Sequence, residues 1–289
     1  MKVVLAGACG HLGSDILKSL VAAGHQVVAA DMVEREVEGL VSGKDYEFKK
    51  LNVTDKEALK GLCDGAEIVM TTVGLVSASK TLTNYDIDYQ GNLNLLNEAQ
   101  AAGVKKFVYV SVLKADSPKA KKMGIDMLLA KRQFEEALIA SGMDYFIVRP
   151  TGYFYDIAHV YMPMIEKGEV SVLDKNVKAN VIDTKDLADY IVDHMNDEAK
   201  KITSIGGTEV YTYQEIAEMF FDAAGKPCVV KEAPVFVFRM LYFINKIKKT
   251  GRAAVIKFGE WTMVESMVAE DVHYGTLSFK DYVYSLYKK

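Results

Sequence analysis

A glycine-rich segment near the N-terminus constrains the fold of this chain more than any other feature. The segment Gly7-Ala8-Cys9-Gly10-His11-Leu12-Gly13 follows an apolar run of strand length at residues 1–6, and apolar side chains in residues 14–21 share one helical face. Between a strand and a helix, such glycines let the backbone approach a pyrophosphate, which the free N–H groups of the helix N-terminus then hold. The segment predicts a dinucleotide-binding turn; an ordinary turn with glycines for close packing is the alternative.

Asp31 supports the dinucleotide interpretation, because it follows Gly13 by 18 residues at the end of a second predicted strand, residues 26–30. A carboxylate at this place can accept hydrogen bonds from both ribose hydroxyls of an adenosine, and it repels a 2′-phosphate. We therefore expect NAD(H) to be the preferred cofactor. NADP(H) stays open as an alternative, since Arg35 follows one helical turn later and could meet a phosphate if the loop folded back.

Composition excludes several classes of protein. The chain has 289 residues, of which 50% are hydrophobic, so it can bury a substantial core. A net charge of −4 with both signs scattered argues against nucleic acid as a general partner. Three distant cysteines, Cys9, Cys63 and Cys228, form neither a disulfide framework nor a metal-ligand cluster, so we expect no metal and a reducing, cytoplasmic location. Cys9 is either a redox-sensitive thiol or a small loop residue whose side chain faces away.

The order of predicted elements indicates an α/β fold. Strands and helices alternate up to Pro150, which predicts a doubly wound parallel sheet over residues 1–150. One of these helices is predicted over 84–102, and another over 124–140. In residues 151–289 strands and helices no longer alternate regularly. We expect these residues to complete the sheet and to form a smaller, mostly helical substrate lid. Two capping boxes, Thr54 with Glu57 and Thr212 with Glu215, predict helix starts.

The segment 235–249 is unusual because it is apolar on nearly all helical faces and ends in Lys246, Lys248 and Lys249. It could be a weak membrane-surface anchor, a contact between subunits of a homo-oligomer, or a lid helix buried over a substrate pocket. The lid is favoured because the apolar positions are not confined to one face. The apolar block at 233–244 is interrupted by Arg239 and is too short to span a bilayer, so no integral membrane segment is predicted.

Several motifs together resemble the short-chain dehydrogenase/reductase superfamily, specifically its extended and atypical branches. They are Gly-x-x-Gly-x-x-Gly at residues 7–13, Asn-Val-Thr-Asp at 52–55, Thr-Thr-Val-Gly at 71–74, and the segments 92–111, 149–154 and 181–188. Residues 130–136 and 141–145 look most like divinyl-chlorophyllide-reductase and NmrA-like members. The resemblance covers essentially the whole chain and implies a Rossmann-type fold.

The resemblance also implies which residues bind the cofactor and the substrate. Its cofactor-binding positions are Gly7, Cys9, Gly10, His11, Leu12, Gly13, Asp31, Met32, Asn52, Val53, Thr72, Val73, Gly74, Lys131, Pro150, Thr151 and Gly152. A small-molecule substrate is expected beside Val112, Tyr153, Phe154 and Tyr155, although plain lid core explains the last three equally well.

One departure from the superfamily concerns catalysis. Its members use a serine, a tyrosine that transfers a proton, and a lysine that lowers the pKa of the tyrosine and holds the nicotinamide ribose. Ser111 and Lys131 match the serine and the lysine, but the tyrosine position is Met127, which cannot carry a proton. A proton would have to come from water, the Lys131 ammonium, Tyr153 or Tyr155.

This departure leaves two alternative functions open. The first is an NAD(P)-dependent oxidoreductase that transfers a hydride to or from a small apolar molecule, such as a cyclic or conjugated one. Retained Ser111 and Lys131 favour it. The second is a catalytically weak or inactive NAD(P)-binding sensor or scaffold of the NmrA type, which Met127 favours.

Overall fold

The computed structural model describes residues 1–75, 82–197, 199–248 and 252–288. Within them the chain forms two compact units. The first comprises Met1–Arg149 and Leu187–Thr203, and the second comprises Pro150–Asp186 and Ser204–Lys289.

The first unit is built on a parallel sheet of strand order β3-β2-β1-β4-β5-β6, with the first half of β9 beside β6. Its strands are β1 (Lys2–Ala6), β2 (Gln26–Asp31), β3 (Glu47–Lys50), β4 (Ile68–Thr71), β5 (Lys106–Val110), β6 (Asp144–Pro150) and β9 (Lys201–Gly206). The inner strands are continuously buried, because a parallel sheet is covered by helices on both faces. The order reverses between β1 and β4, and such a switch point opens a crevice at the carboxyl ends of the strands. The predicted doubly wound parallel sheet is therefore confirmed.

The helices of the first unit each bury at least one apolar residue. They are α1 (His11–Ala22), α2 (Lys56–Leu59), α3 (Asn92–Ala101), α4 (Pro118–Met123) and α5 (Asp126–Ala140). A hydrophobic cluster packs α3 and α5 against the sheet; there the Phe134 ring meets Phe107 and Tyr109 edge-on, at centroid distances of 5.9 Å and 4.6 Å. Such aromatic pairs add to the free energy gained by burial.

Three local predictions in this unit are corrected. The helix expected from residue 84 starts as a π-helical turn, Tyr85–Gly91, because the Asn92 side-chain amide donates to the carbonyl oxygens of Ile87 and Asp88. The helix expected from Gly124 starts at Asp126, since Gly124 adopts a left-handed conformation that ends α4. Asp55 caps α2 in place of Thr54, whose hydroxyl donates to Asn52.

The second unit is mostly helical around small two-stranded sheets. Its elements are α6 (Phe154–Lys167), β7 (Val170–Val172), β8 (Lys178–Ala179), α7 (Thr184–His194, which ends in the first unit), β10 (Tyr211–Thr212), α8 (Tyr213–Ala223), β11 (Val230–Glu232), α9 (Val235–Ile247), α10 (Arg252–Thr262), β12 (Val272–His273) and α11 (Phe279–Ser285). Strand β12 pairs in parallel with the second half of β9. The capping box predicted at Thr212 and Glu215 is confirmed at the start of α8.

Helix α9 departs from the favoured prediction. None of its residues is buried, so it is not a lid helix packed inside the unit. Lys249, the end of the predicted segment, lies outside the described residues. Over the part of the chain that the structure describes, no helix combines the length and apolar character needed to cross a bilayer.

Candidate functional site

The glycine loop links the end of β1 to the start of α1. Gly7 adopts a φ of +81°, and its N–H donates to the Ala30 carbonyl, which fixes the loop beside the end of β2. Gly10 precedes the first residue of α1, and no side chain caps this helix. Because the first turn of a helix leaves its N–H groups without backbone partners, they are available to an anion.

Position 13 has no room for a residue larger than glycine. A Cβ at Gly13 would lie 1.9 Å from the Gly7 carbonyl oxygen, whereas a Cβ at Gly10 would lie 3.4 Å from it. The helix thus begins in direct contact with the turn, as a pyrophosphate-binding loop requires. These residues fit a dinucleotide.

The Asp31 carboxylate lies at the carboxyl end of β2 and is held by the loop. Its two oxygens accept hydrogen bonds from the N–H groups of Cys9 (2.9 Å) and Met32 (2.7 Å). Each carboxylate oxygen has a second lone pair, so the group can still accept from ribose hydroxyls. The structure therefore brings Gly7, Gly10, Gly13 and Asp31 together at the end of the first two strands.

The other predicted residues of the loop differ in exposure. Leu12 is a buried residue of α1, while His11 and Met32 are exposed. The Cys9 side chain is half-buried, and burial raises the pKa of its thiol, so little thiolate forms at neutral pH. This shift favours the interpretation of Cys9 as a packed loop residue over that of a redox-sensitive thiol.

Residues after β4 meet the glycine loop. The Thr72 hydroxyl donates to the Gly7 carbonyl oxygen at 3.1 Å, and the Thr72 N–H donates to the Ala6 carbonyl oxygen at 3.0 Å. The Val73 N–H donates to the Thr71 hydroxyl, which itself donates to the buried Asn92 side chain. The predicted segment at 71–74 thus lies directly beside the loop at the switch point.

Asn52 and Val53 follow β3. The Asn52 carboxamide oxygen accepts from the N–H and the hydroxyl of Thr54, which fixes the turn. Val53 is buried, and its carbonyl oxygen accepts from the Asn94 side chain. These contacts place the segment at the same carboxyl edge of the sheet as Asp31.

Lys131 forms a buried ion pair with Asp88. The Nζ of Lys131 lies 3.4 Å from Oδ1 of Asp88, and their side chains are 12% and 0% exposed. The other carboxylate oxygen of Asp88 accepts from the Leu75 N–H and from the Asn84 amide. Gly74 lies against the pair, since a Cβ there would approach Asp88 Oδ1 to 2.7 Å. The lysine is therefore held in one place beside the segment that follows β4.

Three buried polar atoms in this neighbourhood have no hydrogen-bond partner within the described part of the chain. They are Oδ1 of Asp88, whose contact with Lys131 is an ion pair without good hydrogen-bond geometry, and the hydroxyl oxygens of Tyr109 and Ser111. Lys131 Nζ lies 5.5 Å from the centroid of the Tyr109 ring, and Ser111 comes directly after the end of β5, two residues after Tyr109. Buried polar atoms without partners are costly, and they are typical of sites that receive a ligand.

Tyr109, whose ring lies beside Lys131, is a strand residue. Burial raises the pKa of the Tyr109 phenol well above its usual range, and the negative charges of Asp88 and Glu135 act in the same direction. Tyr109 therefore keeps its proton at neutral pH. Met127, at the position where the superfamily has its tyrosine, is half-buried one turn before Lys131 on α5.

A second buried ion pair anchors α5 to β6. Arg149 donates to both oxygens of Glu135 (2.9 Å and 2.7 Å) and to Asp116 (2.8 Å). Burial by itself lowers the pKa of the guanidinium, but the hydrogen bonds and charges of Glu135 and Asp116 more than offset this and raise it. Arg149 belongs to a motif that resembles the superfamily, and its observed contacts are structural.

Predicted site residues of the second unit are mainly engaged in its own packing. The Thr151 hydroxyl donates to the Asn180 carbonyl oxygen at 2.7 Å, and the Gly152 carbonyl oxygen accepts from the Ile182 N–H. Pro150 is buried. These contacts hold the segment after β6 in an extended conformation.

The predicted substrate residues fall into two groups. Phe154 is buried against the rings of Phe279 and Tyr282, which favours the alternative that it belongs to the core. The rings of Tyr153 and Tyr155 stack at 5.8 Å, and burial raises the pKa of both phenols, so both stay protonated at neutral pH. In the first unit, Val112 is half-buried in the turn after Ser111.

Sequence reasoning missed Asp88 and Tyr109. A signal for Asp88 was present, because Asn84, Asp88 and Asn92 recur every four residues within an otherwise apolar helical face. Tyr109 gave no such signal, since a tyrosine in a buried strand is ordinarily a packing residue.

Comparisons with known proteins agree with this geometry. Residues 7–198 match the model of a family described as NAD(P)H-binding. The chain is 26% identical over 247 residues to the photosystem II assembly factor Ycf39 of Synechocystis sp., covering 83% of this chain and 73% of that protein. It is 26% identical over 310 residues to the chloroplastic divinyl chlorophyllide a 8-vinyl-reductase of Arabidopsis thaliana, covering 96% and 72%. Among solved structures, the NADPH-dependent quinone oxidoreductase QOR2 of Escherichia coli shares the fold with a TM-score of 0.78 and 19% identity, over 99% of this chain and 100% of that one.

Proposed function

Because this chain belongs to the NAD(P)H-binding family, within the atypical short-chain dehydrogenases/reductases, we propose that it is an NAD(H)-dependent oxidoreductase. It transfers a hydride to or from a small apolar substrate, such as a cyclic or conjugated molecule. The observation that carries this proposal is the buried Lys131–Asp88 pair, which lies beside the Tyr109 ring. The hydroxyls of Tyr109 and Ser111 are close to each other, but neither makes a hydrogen bond of good geometry within the described residues. Such a group of polar atoms is costly unless a ligand engages it.

The preference for NAD(H) rests on Asp31. Its carboxylate is fixed by two backbone N–H groups, so it cannot turn away from a nucleotide in the loop without losing them. A fixed negative charge accepts from a free 2′-hydroxyl and repels a 2′-phosphate. Arg35 is exposed, and no ion pair with Asp31 neutralises that charge in the described structure.

The chain's own residues divide the chemical work as follows. The glycine loop and the N-terminus of α1 hold the pyrophosphate, and Asp31 holds the adenosine ribose. When bound, the nicotinamide supplies the hydride chemistry. Lys131, oriented by Asp88, supplies a fixed positive charge and N–H donors for the nicotinamide ribose. Ser111 donates a hydrogen bond to a substrate oxygen.

Proton transfer is the step for which this chain lacks the usual residue. Met127 cannot donate a proton, and the raised pKa of Tyr109, Tyr153 and Tyr155 makes each phenol a weak acid at neutral pH. Reduction of a conjugated C=C bond suits such a site: the hydride would add to one alkene carbon, and the delocalised carbanion that forms, a weaker base than an alkoxide, would take its proton from water. The name of the Arabidopsis relative, a vinyl-reductase, supports this substrate class.

A second candidate function is an NAD(P)-binding sensor or scaffold without turnover. Met127 favours it, because the proton-transferring tyrosine is missing. The name of the Synechocystis relative, an assembly factor, supports it as well. In that case the bound nucleotide would fix a conformation for a partner protein.

The absorbance of NADH at 340 nm distinguishes these two functions. We expect the full-length protein to oxidise NADH in the presence of at least one member of a panel of enones, quinones and ketones. Lys131→Ala should lower that rate on the order of 100-fold, whereas Lys122→Ala, which removes an exposed lysine, should leave it unchanged. Tight NADH binding with no turnover on any acceptor would favour the sensor, and normal rates in Lys131→Ala would refute the role of the lysine.

A further inference from the structure

One face of α9 exposes a continuous apolar stripe. The side chains of Phe236, Met240, Phe243 and Ile247 are 67%, 51%, 63% and 72% exposed. Spacings of four, three and four residues put them on a single helical face. Single exposed apolar residues are ordinary, but a contiguous row of four with two phenylalanines marks an interaction surface.

Helix α10 packs along a different side of α9. There the Nζ of Lys257 lies 5.2 Å from the centroid of the Tyr242 ring, and Arg239 pairs with Glu260 at 3.4 Å. Helix α10 itself is anchored by Trp261, whose side chain is fully buried. The apolar stripe therefore belongs to a supported helix and not to an isolated segment.

The charge around the stripe indicates what covers it. The segment 235–262 contains six basic residues and one acidic residue, although the whole chain has a net charge of −4. The basic residues are Arg239, Lys246, Lys248, Lys249, Arg252 and Lys257, and the acidic one, Glu260, pairs with Arg239. Lys249 lies outside the described residues and is counted from the sequence alone. Two copies of so basic a surface would repel one another, whereas an anionic lipid surface would attract it by about 1 kcal/mol for each lysine or arginine near the headgroups.

We propose that α9 lies in the surface of an anionic membrane, with Phe236, Met240, Phe243 and Ile247 buried at the boundary between headgroups and acyl chains. Lys246 and Lys248, exposed near the end of the helix, then lie at the level of the lipid phosphates. This binding is peripheral and reversible, since a helix of 13 residues is too short to cross a bilayer. It is independent of the proposed reaction.

Co-sedimentation with lipid vesicles tests this proposal on the full-length protein. We expect it to sediment with vesicles made of phosphatidylcholine and phosphatidylglycerol in equal amounts, and to stay in the supernatant with phosphatidylcholine alone. High salt should release it. Replacing both phenylalanines, Phe236→Ser with Phe243→Ser, should lower the partition coefficient roughly tenfold or more. Lys246→Gln with Lys248→Gln should lower it by a similar factor.

The matched control is Val160→Ser with Val210→Ser, which removes two exposed apolar side chains of the second unit outside this surface and should bind like the unchanged protein. Thermal unfolding followed by circular dichroism shows that each variant is folded. Absence of sedimentation with the mixed vesicles overturns the proposal, as does equal binding to neutral ones. The proposal is also overturned if the unchanged protein is a dimer that does not bind vesicles and the double phenylalanine variant is a monomer. A second copy of the chain would then cover the stripe.

Discussion

Gly13 is the residue on which the cofactor loop most depends. Its place in the first turn of α1 brings it against the Gly7 carbonyl, and the nearest atoms to an added Cβ all belong to the backbone. A backbone cannot move aside as a side-chain tip can, so any larger residue must displace either the loop or the helix. The close contact between Gly13 and the backbone of Gly7 therefore explains why the motif has a glycine at position 13.

Alanine at Gly13 should destabilise the protein, while alanine at Gly10 should not. Gly13→Ala forces the loop open, and we expect it to lower the free energy of unfolding by about 1–3 kcal/mol or more. Gly10 has a φ of −75° and space for a Cβ, so Gly10→Ala serves as the matched control. Urea-induced unfolding measures both. Equal stabilities for the two variants would contradict the packing argument.

The Lys131–Asp88 pair shows what residue-level prediction from sequence can and cannot reach. Lys131 was predicted from its position in a motif, and the structure places it in a buried pair. Asp88 was missed, because its four-residue spacing from Asn84 and Asn92 indicates a shared helical face but does not indicate that a carboxylate there binds a lysine. Its partners come from three separate segments, at Leu75, Asn84 and Lys131, which only the folded chain brings together.

At the scale of elements, α5 links the candidate site to the sheet. Lys131 and Glu135 are one turn apart on this helix, so the helix carries both a predicted cofactor contact and the buried carboxylate that binds Arg149. Arg149 lies at the end of β6. The ion pair thus sets the position of the helix, and with it the position of Lys131, relative to the strand.

Breaking this anchor should cost far more than breaking the neighbouring surface pair. Glu135→Ala leaves buried Arg149 without its main partner, and we expect the free energy of unfolding to fall by about 3–5 kcal/mol. Glu136 is 60% exposed and pairs with Arg132, so Glu136→Ala should cost less than about 1 kcal/mol. Chemical unfolding of the two variants supplies the comparison. A small, equal loss in both would mean that the Glu135–Arg149 pair does not anchor the helix.

Helix α9 marks a limit of prediction at this scale. Its existence and start were predicted from the sequence, but its apolar residues, spread around nearly the whole helix, favoured burial. In the structure no residue of α9 is buried. The sequence pattern shows which faces of a helix are apolar. It does not show whether the rest of the chain or a binding partner covers them.

At the scale of the whole molecule, alternation of strands and helices was sufficient to predict the parallel sheet of the first unit. The order of the strands was not predicted, because the alternation does not show that β1 and β4, which are far apart in sequence, are neighbours. The π-helical turn at 85–91 was beyond prediction, since it depends on hydrogen bonds from the Asn92 side chain to backbone carbonyls. Side-chain-to-backbone contacts of this kind leave no period in the sequence.

We propose that the glycine loop and Asp31 together select NAD(H). Calorimetric titration of the full-length protein with NADH and NADPH tests this most directly, alongside the variant Asp31→Ser. We predict that NADH binds at least about tenfold more tightly than NADPH, because hydrogen bonds to a charged group contribute roughly 1.5–3 kcal/mol. Asp31→Ser should remove most of that difference. Tighter binding of NADPH, or an unchanged ratio in Asp31→Ser, would contradict the account.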